Sequence, residues 1–190
     1  MTHRKRIALS LPAPTGSVAD TIAMAQQAEA MGYDDLWLAD AGGLDALTLV
    51  PILLEHTEKV RVGIAVVPAY TRTPAVFAST FAVIAAAYPG RFVPGLGTSS
   101  QTIIERWHGL PMEKPLTRMK ETVGLIRTMM AGEKTDFQGE TLRSKGYIQM
   151  PTDQQLPIYL AGLRSKMGET AAEIGDGVIL NLFPRSALPR

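Results

Sequence analysis

Residues 60–100 constrain the fold more than any other part of the chain. Val60-Arg61-Val62-Gly63-Ile64-Ala65-Val66-Val67-Pro68 has the nearly unbroken apolar content of a strand covered on both faces. A polar mouth follows, Ala69-Tyr70-Thr71-Arg72-Thr73-Pro74, in which Thr73 suits a helix N-cap and Pro74 the first helical position. Helical apolar content runs from Phe77 to Tyr88 and is stopped by Pro89-Gly90. Arg91-Phe92-Val93-Pro94 then leads as a second strand into Gly95-Leu96-Gly97-Thr98-Ser99-Ser100. Parallel strands joined by a helix bring residues 70–73 and 95–100 to one rim, at the strands' C-terminal ends. In α/β proteins ligands bind at that rim.

The rest of the chain repeats this unit. Residues 7–11 predict a first strand, and Ser17 with Asp20 a capping box. Val18, Ile22, Ala25, Ala28 and Met31 then fall on one helical face. Residues 35–40 predict a second strand, and Asp45 caps a helix reaching His56, with a kink expected at Pro51. Residues 100–115 read as a long irregular connection containing Trp107-His108-Gly109. Leu116, Met119, Val123, Ile126 and Met130 predict an amphipathic helix that ends at Gly132. A small two-stranded insertion is expected over 136–143 and 145–150, before strand five at 157–162. A helix over 167–174 and a sixth strand over 177–182 follow, whereas 184–190 carries neither signal.

Strands alternating with helices imply a parallel α/β sheet with right-handed crossovers. A doubly wound nucleotide-binding sheet wants a glycine fingerprint after its first strand, and Pro12-Ala13-Pro14-Thr15-Gly16 is not one. A (β/α)8 barrel fits better, but it needs eight strands in roughly 250 residues. With six strands counted in 190 residues, the expectation is one incomplete TIM-barrel domain over 1–190.

Composition narrows the function classes. A net charge of +1 gives no long-range field toward nucleic acid or an anionic membrane. Zero cysteines exclude disulfides, thiolate catalysis and cysteine metal sites, and three scattered histidines suggest no metal centre. Residues 77–88 fall short of a membrane span, and the run at 7–11 is too short for a signal-peptide core. A cytoplasmic protein without membrane or nucleic-acid partners is expected.

Several phrases, in order, resemble the luciferase-like monooxygenase superfamily, in particular its deazaflavin (coenzyme F420) dependent oxidoreductases. They are Met31-Gly32-Tyr33-Asp34-Asp35-Leu36-Trp37-Leu38-Ala39-Asp40 and Val62-Gly63-Ile64-Ala65-Val66-Val67-Pro68 with Tyr70-Thr71-Arg72-Thr73-Pro74. Gly90-Arg91-Phe92, Gly95-Leu96-Gly97-Thr98-Ser99 and Trp107-His108-Gly109-Leu110-Pro111 come next. Pro157-Ile158-Tyr159-Leu160-Ala161-Gly162 and Gly175-Asp176-Gly177-Val178-Ile179-Leu180-Asn181 complete the series.

The resemblance implies a (β/α)8 barrel binding F420, or alternatively FMN, across its C-terminal mouth. It implies a bulge with a non-proline cis peptide at Ala65, Val66 and Val67, backing the tricyclic ring. It places Gly97, Thr98 and Ser99 at the cofactor's polar edge, and Ala161, Gly162, Leu163, Arg164 and Ser165 at a phosphate. A helix N-terminus with free amides suits an anion there in any case, with Arg164 and Lys166 adding positive charge. Three departures stand out: Ala41 rather than histidine follows Asp40, residues 12–16 and Thr98 offer no carboxylate at the first or fourth strand end, and the last two βα units of the barrel are missing. The open sheet edges this leaves suggest a fragment, a shortened gene product or completion by a partner.

Asp40, at a strand's C-terminal end, is a candidate catalytic carboxylate and equally a capping or ion-pairing residue. His108 is the acid/base candidate by its ordinary pKa. Tyr70 and Trp107 are the candidate substrate-binding residues, Trp107 doubling as a possible loop anchor. The leading expectation is F420-dependent hydride transfer to or from a small organic substrate, in a homodimer. The alternatives are an FMN-dependent two-component monooxygenase of the same fold, and a non-catalytic flavin-binding or truncated barrel protein.

Overall fold

The computed structural model describes residues 5–11, 16–152 and 156–181. His3, the expected turn through Pro12 and Pro14, Leu182 and the segment 184–190 lie outside them.

Six parallel strand tracks form one bent sheet. β1 (Ala8–Ser10) pairs with β2 (Asp35–Leu38), β2 with β3 (Arg61–Ile64), and β3 with β5 (Phe92–Val93). The central tracks then change ladder. β4 (Val67–Pro68) prolongs β3 and β6 (Gly95–Gly97) prolongs β5, and both join a second ladder with β9 (Tyr159–Ala161) and β10 (Gly177–Ile179), in the order β10-β9-β6-β4. The strand expected at 60–68 is therefore split in two, and the one expected at 91–94, running into the glycines, divides likewise. A cis peptide between Ala65 and Val66 interrupts the first, and Pro94, which has no N–H to give a ladder, interrupts the second. At the crossing, a Cβ on Gly95 would lie 1.9 Å from the Ile64 carbonyl oxygen, so only glycine lets the tracks pass this closely. Among the described residues β1 and β10 each have one neighbour, and the sheet is open: a TIM-barrel-type α/β fold with six of its βα tracks and no closure.

The helices start where the sequence places them. α1 (Val18–Ala30) carries the capping box in both directions between Ser17 and Asp20. α2 (Ala46–Glu55) is capped by Asp45, which accepts from the Thr48 amide at 2.7 Å, and it continues through Pro51. α3 (Pro74–Ala87) has Pro74 in its first turn and Thr73 accepting from the Val76 amide. α4 (Pro115–Met130) buries Met119, Val123, Ile126 and Met130 of the expected face. Phe77, Phe81 and Phe92 interlock with ring centroids 5.6 and 5.7 Å apart, anchoring α3 on the sheet, and α4 packs on α3.

Three local expectations are corrected. α1 buries Thr21, Ala25 and Ala28, while Val18 and Met31 lie exposed. The buried face is carried by small side chains, and α1 packs along α2. α5 (Ser165–Ile174) begins two residues earlier than the apolar pattern indicates. The hairpin is β7 (Asp136–Gln138) and β8 (Arg143–Lys145), so its turn falls inside what patterning assigned to the first strand. The cause is Glu121 on α4, whose carboxylate accepts the amides of Glu140, Thr141 and Leu142 and the Thr141 hydroxyl. Because that partner is about twenty residues away, no local pattern announces it.

On the sheet's concave side Trp37 stacks on Tyr159 with centroids 6.0 Å apart. Gly63 makes room for it: a Cβ there would be 2.5 Å from the indole. At the N-terminal end of the same tracks, Asp35 takes two hydrogen bonds from each of two guanidinium groups, those of Arg6 and Arg61.

Candidate active site at the C-terminal rim

The expected cofactor segments meet at one point. Parallel pairing sets Pro68 opposite Gly97 and Leu96 opposite Leu160, which aligns the ends of three tracks. A Cβ on Gly97 would lie 2.4 Å from Val66 Cγ2 and 3.4 Å from the Ala161 Cβ, so segments 65–67, 97–99 and 161–165 adjoin. The implied non-proline cis peptide is present, between Ala65 and Val66. Ala65, Val66, Thr98 and Ser99 are half-buried, and Ser99 has a left-handed backbone (φ 62°). Val67 faces inward, at 1% exposure.

Beside them α5 opens without a side-chain cap. Arg164 precedes it in an extended conformation, and the Gly168 amide on the Arg164 carbonyl begins the helical ladder. The first-turn amides are thus open to an anion. Leu163, Arg164, Ser165 and Lys166 are exposed around them. Gly162 is needed for a reason the sequence did not show: a Cβ there would come within 2.8 Å of the Gly168 Cα, so it lets α5 lie against β9.

Asp40 is held by an ion pair. Arg72 Nη1 donates to it at 2.9 Å while Nη2 binds Asp45, so a single guanidinium joins the β2–α2 and β4–α3 loops. Asp40 and Arg72 are largely covered, with side-chain exposures of 16% and 19%. Burial works against the Asp45 carboxylate, yet the Thr48 hydrogen bonds and the Arg72 charge outweigh it and hold the group below its ordinary pKa. Asp45 was legible as a helix cap but not as a partner of Arg72. The available signal was that both lie on loops after neighbouring parallel strands.

Tyr70 is buried. Its hydroxyl donates to the Glu113 carbonyl at 2.7 Å, the Arg118 guanidinium lies 5.2 Å from its ring centroid, and loss of solvent raises its pKa. Its ring anchors the segment before α4 rather than standing open at the mouth. That segment is not irregular throughout: residues Thr102–Trp107 form a π-helical turn around fully buried Ile104. Six residues are too few to display a period, which is why the turn escaped patterning. It projects Trp107 as an exposed indole whose Cζ3 lies 3.5 Å from where a Gly42 Cβ would be, and His108 follows as an exposed residue. Among the described residues no group of histidines and carboxylates could hold a metal ion, and no helix is long and apolar enough to cross a membrane.

Comparison with known proteins places this geometry. The chain is 31% identical over 169 residues to a 5,10-methylenetetrahydromethanopterin reductase of Methanolobus tindarius, covering 88% of this chain and 52% of that protein. It is 32% identical over 176 residues to an F420-dependent glucose-6-phosphate dehydrogenase of Mycobacterium avium, covering 84% and 52%. The structure superposes on a coenzyme F420 dependent tetrahydromethanopterin reductase from Methanopyrus kandleri with a TM-score of 0.83 at 22% identity, covering 93% of this chain and 55% of that one. The chain spans about half the length of the relatives it matches. The family description "Luciferase-like monooxygenase" matches residues 2–189, and the chain belongs to that family.

Proposed function

We propose that the protein works as, or within, an F420-dependent oxidoreductase that moves a hydride between the deazaflavin and a small organic substrate. The observation that carries this reading is the convergence of the Ala65–Val66 segment, the Gly97–Ser99 turn and the uncapped start of α5 at one rim. These residues fit a flat ring with a phosphate-bearing tail. Val66, Gly97 and Ala161 form a cradle with no room for a further side chain, and the amides at the start of α5, with Arg164 and Lys166, suit the anion. The deazaflavin supplies the hydride chemistry when bound. The chain's own residues position it, and the Asp40–Arg72 pair forms a charged wall beside the mouth. The names of the related F420-dependent reductase and dehydrogenase favour F420 over FMN.

The test is a titration of the protein with F420 and with FMN, each followed by fluorescence polarisation. Saturable F420 binding at least about tenfold tighter than FMN binding, or ~1.4 kcal/mol, is expected. The reverse order would move the protein to flavin chemistry, and binding of neither would leave a non-catalytic barrel piece.

A homodimer and a cytoplasmic location belong to the same proposal. α3 has no charged residue in its 14 positions, and Val76 and Val83 on it are exposed. Between α2 and α3 lies a cleft of about 530 Å³ floored by Leu47, Pro51 and Ile84. A helix apolar on all sides calls for cover. A second copy fits because this face, turned on itself, opposes no like charges; the Arg72–Asp45 pair at its end is internally neutralised. Sedimentation equilibrium is expected to give a dimer for the native chain and a monomer for Val83→Glu, with unchanged circular dichroism.

A further inference from the structure

Trp107 lies on the connection between β6 and α4, and its indole reaches Gly42 on the connection between β2 and α2. In the sheet, the β3–β4 track runs between those two. An indole that joins those two connections bridges the rim on either side of the β3–β4 track, which carries Ala65 and Val66 between its two strands. Three features set that reach. Buried Ile104 fixes the π-turn, and Gly42, in a left-handed turn with φ 96°, brings its loop up to the ring. The Tyr70 hydroxyl on the Glu113 carbonyl pins the far end of the segment. Yet 60% of Trp107 stays exposed. A large amphipathic ring held by its surroundings, with one face free over a mouth, is a contact surface for an apolar ligand.

We infer that Trp107 is the specificity-determining residue of this mouth. It roofs the substrate side of the cofactor slot and admits molecules with an apolar face that fits beneath the indole, while the Asp40–Arg72 pair offers the polar wall. The inference rests on the deazaflavin reading above.

Native protein, Trp107→Phe and Trp107→Ala are titrated with F420 and followed by polarisation and by acrylamide quenching. Trp37 is the other indole, so the emission of Trp107 is the difference between native protein and Trp107→Phe. F420 affinity is expected to stay within about threefold in all three, because the roof lies on the substrate side. Binding should make Trp107 several-fold less accessible to acrylamide, and in Trp107→Ala the bound deazaflavin should become several-fold more accessible. Tight F420 binding with Trp107 quenching unchanged overturns the roof and leaves the cofactor reading standing. So does a more than tenfold loss of affinity in Trp107→Ala, since the indole would then be a cofactor contact. No F420 binding in the native chain overturns the cofactor reading and the roof with it.

Discussion

Gly95→Ala is expected to unfold at denaturant concentrations at which Gly97→Ala is still native. The new methyl at position 95 would sit 1.9 Å from the Ile64 carbonyl oxygen and 2.8 Å from Ile179 Cδ1. The first obstacle is backbone, at the last residue of β3 where the two tracks cross, so a rotamer change cannot relieve it. Overpacking of a core ordinarily costs about 1–3 kcal/mol, and a clash with backbone belongs at or above the upper end. Against a domain stability of about 5–15 kcal/mol that is a large fraction. At Gly97 the clash is with Val66 Cγ2, at 2.4 Å, on a half-buried side chain of the rim. The substitution should therefore disturb the mouth more than the fold: F420 affinity is expected to fall more than tenfold while the urea midpoint moves little. Equal destabilisation by both variants would show that the tracks can slide apart where they cross, contrary to the geometry.

Asp35→Asn is expected to lower stability by about 3 kcal/mol near neutral pH and to remove part of the acid sensitivity of the fold. The carboxylate receives Arg6 at 2.8 Å through both Nε and Nη2, and Arg61 through Nε at 2.6 Å and Nη2 at 3.1 Å. It is 5% exposed. An asparagine has one acceptor oxygen, so about half of these bonds become donor facing donor. The guanidinium groups are partly in water, which softens the loss. Burial alone would raise the pKa of Asp35, but the bonds and charges of Arg6 and Arg61 outweigh it and hold the group below the usual carboxylate value. A carboxyl depressed by folding contributes stability that is present above its unfolded pKa, near about 3.9, and lost as pH falls through the folded value. Urea midpoints measured from pH 7 down to pH 2 should therefore fall less steeply below about pH 4 in the variant than in the native protein. A parallel fall would assign the acid sensitivity to other carboxylates.

Both predictions concern residues whose importance the sequence only partly disclosed. Thr73-Pro74 announced the start of α3, and Ser17 with Asp20 that of α1, because caps are local chemistry written within four residues. The six tracks and their parallel order were legible from apolar runs punctuated by proline and glycine, and the ordered family phrases located the three rim segments. What escaped was set by partners far along the chain. Glu121 moves a hairpin turn, Arg72 joins Asp40 to Asp45, and Tyr70 is drawn beneath Arg118 rather than left open at the mouth.

The linear order of residues thus determined the elements, their parallel sense and the rim at which the candidate segments were expected, since periodicity, capping and turn residues act over a few positions. Only the tertiary structure decided where two tracks cross at Gly95, how Val66, Gly97 and Ala161 close on one another, and that Trp107 reaches Gly42. Those outcomes depend on steric exclusion and ion pairing between groups tens of residues apart, which become neighbours only when the sheet bends.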